Sequence, residues 1–145
     1  MTLREVLERV PPKLNAISEE KAARRSAPGK WSKKEILGHL IDSAGNNHQR
    51  IVRAQLAPVL EFPEYEQEGW VRSQSYQTEP WADLVQLWTS LNRHLAHIVG
   101  AIPQAALTHT CKLGHHDPFP LSDLEAHYMR HLEHHLEQIL SGEPG

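Results

Sequence analysis

Near the C-terminus, the stretch "AHYMRHLEHHLEQIL" puts four histidines into nine positions: His127, His131, His134 and His135. They are spaced rather than consecutive, with leucine, methionine and isoleucine threaded between them at helical intervals. On a helix, residues four apart stand about 40° apart around the axis and one turn along. His131 and His135 therefore project side by side, near enough to grip one ion. Leu124, Tyr128, Leu132, Leu136 and Ile139 form the buried stripe of the same wheel. His135 falls inside that stripe and His131 at its margin, while His127 and His134 lie farther toward solvent. A buried imidazole needs a hydrogen-bond partner or a metal. The plain alternative is a pair of core-edge histidines bonded to neighbouring helices. A catalytic zinc commonly takes three protein ligands and leaves one position to water, so a third ligand has to come from another helix.

The segment "EILGHLIDSAGNNHQR" offers His39 and His48. They are nine residues apart, on roughly opposite faces of a helix, and cannot both serve one ion. Ser43, Asn46 and Arg50 share the face of His39, a polar strip that is either a solvated surface or the lining of a polar cavity. His48 shares its side with Leu37, Ile41 and Ala44 and reads as buried and hydrogen-bonded. His39 is the better third ligand.

The elements that must position these residues are helical. Leu3, Val6, Leu7, Val10, Leu14 and Ile17 mark a first helix, which Pro11 and Pro12 must break or kink. After the loop "SAPGKWS", Ser32 and Glu35 match a capping box. A long helix is expected from Lys33 to Leu56, stopped before Pro58, with Trp31 stapling its start. Residues 57–78 are long for a structureless loop and predict short helical pieces or a functional role. Thr78 then caps a helix with Pro80 in its first turn. Its stripe of Trp81, Leu84, Trp88, Leu91, Leu95, Ile98 and Ile102 must pack on other helices. Residues 107–120 form an irregular connection or a short hairpin. Ser122 and Glu125 match a second capping box, opening a final helix to Leu140 with Gly142 just past its end. No segment alternates with period two, so the fold expected is all-α, a four-helix antiparallel bundle in one domain over residues 1–145.

Composition narrows the partners. A formal charge of −3, from 15 basic and 18 acidic residues, gives no electrostatic case for nucleic acid. No apolar segment approaches the roughly 20 residues that cross a bilayer, and the N-terminus lacks the apolar centre of a signal peptide. Cys111 is the single cysteine, so no intrachain disulfide forms and a reducing, cytoplasmic location is expected. His109, Cys111, His115, His116 and Asp117 crowd one connecting loop, but their spacing matches no structural zinc pattern. A histidine lining a pocket from this loop is the better expectation. His94 and His97 should be exposed.

"GKWSKKEILGHLIDSAGNNHQRIVRAQL", with "EYEQEGW" downstream and "HLEHHLEQI" near the end, resembles the DinB/YfiT-like superfamily of metal-dependent hydrolases over residues 30–139. The resemblance implies a four-helix bundle, a zinc or nickel ion on three histidines, and a homodimer. On matching positions those histidines are His39, His131 and His135. Some members carry another histidine right after the Asp-Ser pair, where this chain has Ala44, which implies a changed pocket shape.

Three neutral imidazoles leave a divalent ion its full charge. Such an ion either lowers the pKa of water toward ~7, giving a hydrolase of a small molecule, or takes a substrate thiol, giving a thiol-dependent transferase. A non-catalytic metal-binding dimer is the third possibility. Asp42, three residues after His39, is placed to accept an imidazole N–H and fix its tautomer; a solvent-facing aspartate is the bland reading. Glu66 is a candidate general base, Trp70 a cover for the pocket, and Asn46 and Arg50 candidate anchors for an anionic substrate group. A surface salt bridge explains Arg50 equally well.

Overall fold

Ser32 starts the longest helix of the protein. In the computed structural model, which describes residues 1–141, its side chain accepts from the Glu35 backbone N–H, while the Glu35 carboxylate accepts from the Ser32 N–H. The helix it opens, α3, runs over Lys33–Leu56 as expected. The other helices are α1 (Leu3–Asn15), α2 (Glu19–Ala23), α4 (Gln67–Ser73), α5 (Trp81–Gly100) and α6 (Leu124–Leu140). Four of these are long: α1, α3, α5 and α6. α3 is the central one, packing on α5 and α6, and α1 closes the bundle against α5. Gly142 lies outside the described residues.

The expected stripes carry the core. Trp81, Leu84, Trp88 and Leu95 of α5 are buried, with Leu91, Ile98 and Ile102 partly buried against them. All of Leu124, Tyr128, Leu132, Leu136 and Ile139 of α6 are buried. At roughly 25 cal/mol per Å² of apolar surface removed from water, such side chains supply the main drive to assemble the bundle.

Four expectations fail locally. Pro11 and Pro12 lie inside α1, which continues through them. Glu8 and Pro12 are exposed, so a carbonyl left without its N–H partner meets water, while Val6, Val10 and Leu14 keep the inner stripe. Thr78 does not cap α5: its hydroxyl donates to the Ser75 carbonyl, and Pro80 stands at the cap. Glu19 of α2 serves instead, accepting from the Trp81 N–H at 3.0 Å. Ser122 makes no capping box, because a 3₁₀ turn over Leu121–Asp123 leads into α6.

The fourth correction concerns fold class. The bundle carries a three-stranded sheet, so it is not purely α. β1 (Val59–Phe62) runs parallel to β2 (Thr110–Leu113), and β2 pairs antiparallel with β3 (Phe119–Pro120). The hairpin offered for residues 107–120 is present. The segment before α5 holds β1, α4 and a 3₁₀ turn at Tyr76–Thr78. No described helix is long and apolar enough to cross a membrane.

Candidate metal centre

α3 and α6 lie side by side, and their histidines meet. The ligand nitrogens of His39, His131 and His135 all fall within 4.8 Å of one another. His39 Nε2 is 3.0 Å from His131 Nε2. Two nitrogens on one tetrahedral zinc stand about 3.3 Å apart, given bonds of about 2.0–2.1 Å. The three rings meet edge to face, with centroids 4.6–4.9 Å apart. His39 is 1 % exposed and His131 and His135 are half-buried.

The donor set fits a divalent cation. His39 Nδ1 is buried without a hydrogen-bond partner, and the one bond of its Nε2 is to another imidazole nitrogen. Imidazole nitrogens gathered this closely offer lone pairs that a cation would accept. Burial, reinforced by the nearby His131 and His135, lowers the His39 pKa to about 4. Burial likewise takes His131 to about 4, helped by His135, His134 and Arg50. Both rings are therefore neutral at pH 7, the form that binds metal. Gln138 Oε1 accepts from His135 Nδ1 at 2.8 Å, which leaves Nε2 of that ring free to ligate.

A cavity of about 440 Å³ opens beside His131. Ser43, Asn47 and Arg50 of α3 form one wall, and His127 and Tyr128 of α6 another. Glu64, Tyr65 and Gln67 come from the segment after β1, and Leu113, His116 and Phe119 from the hairpin. A larger hollow of about 730 Å³, lined by Lys21, Lys30 and Trp31 among others, contains none of the three histidines. The smaller one is the candidate site because His131, one of the three clustered histidines, lines it.

The other sequence candidates divide. Arg50 lines the cavity. Asn46 does not; its side-chain amide donates to the Asp42 carbonyl of its own helix at 2.9 Å. Its neighbour Asn47 takes that place, a substitution the wheel leaves undecided because both flank the His39 face. Asp42 is buried but touches no histidine. Its Oδ1 accepts from Tyr76 Oη and Gln74 Nε2, each at 2.7 Å, while Oδ2 is buried without a partner. Burial raises the Asp42 pKa, against the two hydrogen bonds.

Glu66 is exposed and outside the cavity lining; its carboxylate curls over Gly69 of its own helix, 2.2 Å from where a Cβ would sit. Trp70 is 42 % exposed and covers no cavity, its ring lying 4.9 Å from that of Tyr65. Trp31 lies with its ring 5.3 Å from that of His39. His48 is half-buried against the ring of His94 rather than buried in a hydrogen bond. Ala44 is fully buried in the core. His116 bears out the expectation of a pocket histidine from the hairpin. Among the described residues, those of the Cys111 loop form no group of three such ligands close enough to share one ion. His127, expected toward solvent, lines the cavity; its place four residues before His131 is the signal that points there.

Comparison with known proteins agrees with this architecture. The family described as the DinB superfamily matches residues 2–139. Among solved structures, the chain is similar to YfiT from Bacillus subtilis, described as a probable metal-dependent hydrolase with an unusual four-helix bundle topology. The TM-score is 0.75 at 20% identity, over 96% of this chain and 82% of that one. No curated protein matches in sequence.

Proposed function

The chain belongs to the DinB superfamily, and from that premise we propose that it is a divalent-metal-dependent hydrolase of a small molecule. The observation that carries this reading is the convergence of three imidazoles from α3 and α6 beside an open cavity. The description of YfiT as a probable metal-dependent hydrolase supports it.

His39, His131 and His135 hold the ion, zinc or nickel, either of which three imidazoles accept. When bound, it supplies Lewis acidity and lowers the pKa of water to ~7. The protein does the rest. His135 is held in its tautomer by Gln138. Asp42 Oδ2 and His39 Nδ1 are both buried without a partner, three residues apart on α3; a side-chain rotation that joined them would orient His39. Glu64, the carboxylate among the cavity-lining residues, is the candidate for the proton-handling role expected of Glu66, which is exposed outside the lining. The homodimer and the cytoplasmic location belong to the same reading, the latter in keeping with a buried free thiol at Cys111.

The test is turnover. Zinc- or nickel-loaded protein should hydrolyse members of a panel of small esters, amides and phosphoesters, lose that activity to a chelator and regain it with metal. A cobalt-substituted protein that binds small thiols saturably, with no hydrolysis, would move the site to the transferase reading.

A further inference from the structure

Besides the imidazoles, the cavity contains a cation, Arg50, that forms no ion pair among the described residues. The guanidinium Nε is buried without a hydrogen-bond partner. Its Cζ lies 5.1 Å from the centroid of the Phe62 ring, a cation–π contact that steadies the group without satisfying its N–H donors. Burial lowers the Arg50 pKa, against the opposing influence of Tyr65, Cys111 and Glu64. A guanidinium N–H taken from water without an acceptor, as at Nε of this half-buried side chain, carries a desolvation penalty that an arriving oxyanion would reduce.

The one carboxylate of the lining, Glu64, packs against the hairpin at Gly114. The Cγ and Cδ atoms stand 2.1 and 2.6 Å from where a Gly114 Cβ would sit. That glycine has φ +56, in the left-handed region. The turn thus has room for the Glu64 side chain.

The rest of the cavity is divided in character. Ser43, Asn47 and His131 lie on the polar side with Arg50; Leu113, Phe119 and Leu124 are apolar. Phe119 is backed by His127, with ring centroids 4.2 Å apart and planes 14° from parallel. Ser43 Oγ is 3.5 Å from His131 Nδ1. Arg50 follows Ser43 by seven residues, a rise of about 10 Å along the helix, within the span of one small molecule.

We propose that Arg50 is the anion anchor of this cavity, and that its ligand is a small molecule with a carboxylate or phosphoryl group on an apolar, ring-sized body. The anion docks on the guanidinium fork, and the body lies against Phe119 and Leu113. This deepens the hydrolase reading and rests on it for one point, that the reacting bond lies at the His131 end.

The test uses the full chain, metal-free and zinc-loaded, titrated calorimetrically with benzoate, phenylphosphonate and the neutral isostere benzamide. At least one anion should bind wild-type protein about tenfold or more tightly than benzamide, as a charge-assisted pair requires. The preferred anion tells carboxylate from phosphoryl. Arg50→Met should abolish the preference. Arg50→Lys, which keeps the charge but loses the fork, should retain part of it and decides the matter if the methionine variant does not fold. Equal binding of benzamide, no binding of either anion, or an unchanged preference in the variants overturns the proposal. The metal-free arm separates the two readings. Arg50-dependent anion binding by a protein that takes up no metal sinks the hydrolase and spares the anchor; stoichiometric metal without anion preference does the reverse.

Discussion

The Nε2 atoms of His39 and His131 stand 3.0 Å apart, although 92 residues separate them in sequence. Neither ring is charged at neutral pH, since burial lowers both pKa values to about 4. Lone pairs from α3 and α6 are thus brought together with no protein cation between them. Protein purified without an affinity tag should carry about one divalent ion per chain by elemental analysis. His39→Ala, His131→Ala or His135→Ala should each remove it. His134→Ala is the control: that residue is exposed, its ring touches His135, and it is outside the cluster. Full metal content in His131→Ala would refute the assignment.

Acid stability follows from the same burial. A histidine whose folded pKa is depressed binds fewer protons folded than unfolded between the two values. For His39 and His131 that window runs from 6.5 down to about 4. Stability is unaffected above it, falls as the pH drops through it, and falls no further from this cause below it. For His39 alone the loss is about 3 kcal/mol. Chelator-treated protein should show this decline by denaturant titration between pH 7 and 4, and His39→Gln should flatten it. A wild-type curve without that slope would contradict the neutral cluster.

Much of this was legible beforehand, for identifiable reasons. α3 was readable at both ends because a capping serine and Pro58 bracket it. The three-histidine cluster was readable because an i, i+4 pair and a polar strip are periodic signals. The sheet was not. β1, "VLEF", and β2, "TCKL", are too short to display alternation, and their pairing is parallel across distant chain segments. Asn46 and Asn47 flank one direction on the wheel, and only the position of α6 decides which of them reaches the cavity. The approach of the segment after β1 is likewise tertiary, which is why Glu64 and Tyr65 line the cavity instead of Glu66 and Trp70.

Asp42 separates an orienting role from a structural one. Its Oδ1 accepts from Tyr76 and Gln74, and its Oδ2 is free. Asp42→Asn keeps an oxygen for Tyr76 and Gln74 but replaces the free acceptor with a donor, so the fold should hold. Metal affinity should drop about 10–100-fold if the carboxylate orients His39. Tyr76→Phe should do the opposite, costing about 1–2 kcal/mol through one lost hydrogen bond to a buried carboxylate that keeps Gln74, while metal stoichiometry survives. Competition with a chromogenic chelator and thermal unfolding read the two effects. Unchanged zinc affinity in a folded Asp42→Asn protein would remove Asp42 from the site.

The glycines of α3 provide the last prediction, because one helix holds two with opposite surroundings. A Cβ on Gly38 would lie 2.1 Å from Tyr76 Cδ2 and 2.4 Å from Cγ, inside a ring that is 3 % exposed. A Cβ on Gly45 would meet nothing within 4 Å. In a helix interior, alanine gains up to about 1 kcal/mol over glycine. At Gly45 nothing opposes that gain, and Gly45→Ala should raise the melting temperature. At Gly38 the new methyl must displace a buried aromatic ring, and overpacking costs about 1–3 kcal/mol. The clash wins because the atoms it meets belong to the ring itself rather than to the free end of a flexible chain. Gly38→Ala should therefore lower the melting temperature. It should also disturb the metal centre, since Tyr76 holds Asp42 and Gly38 is bonded to His39. Melting curves with metal titrations check both variants. Equal gains in stability from the two substitutions would show that the close approach of Tyr76 to α3 is not a feature of the folded protein.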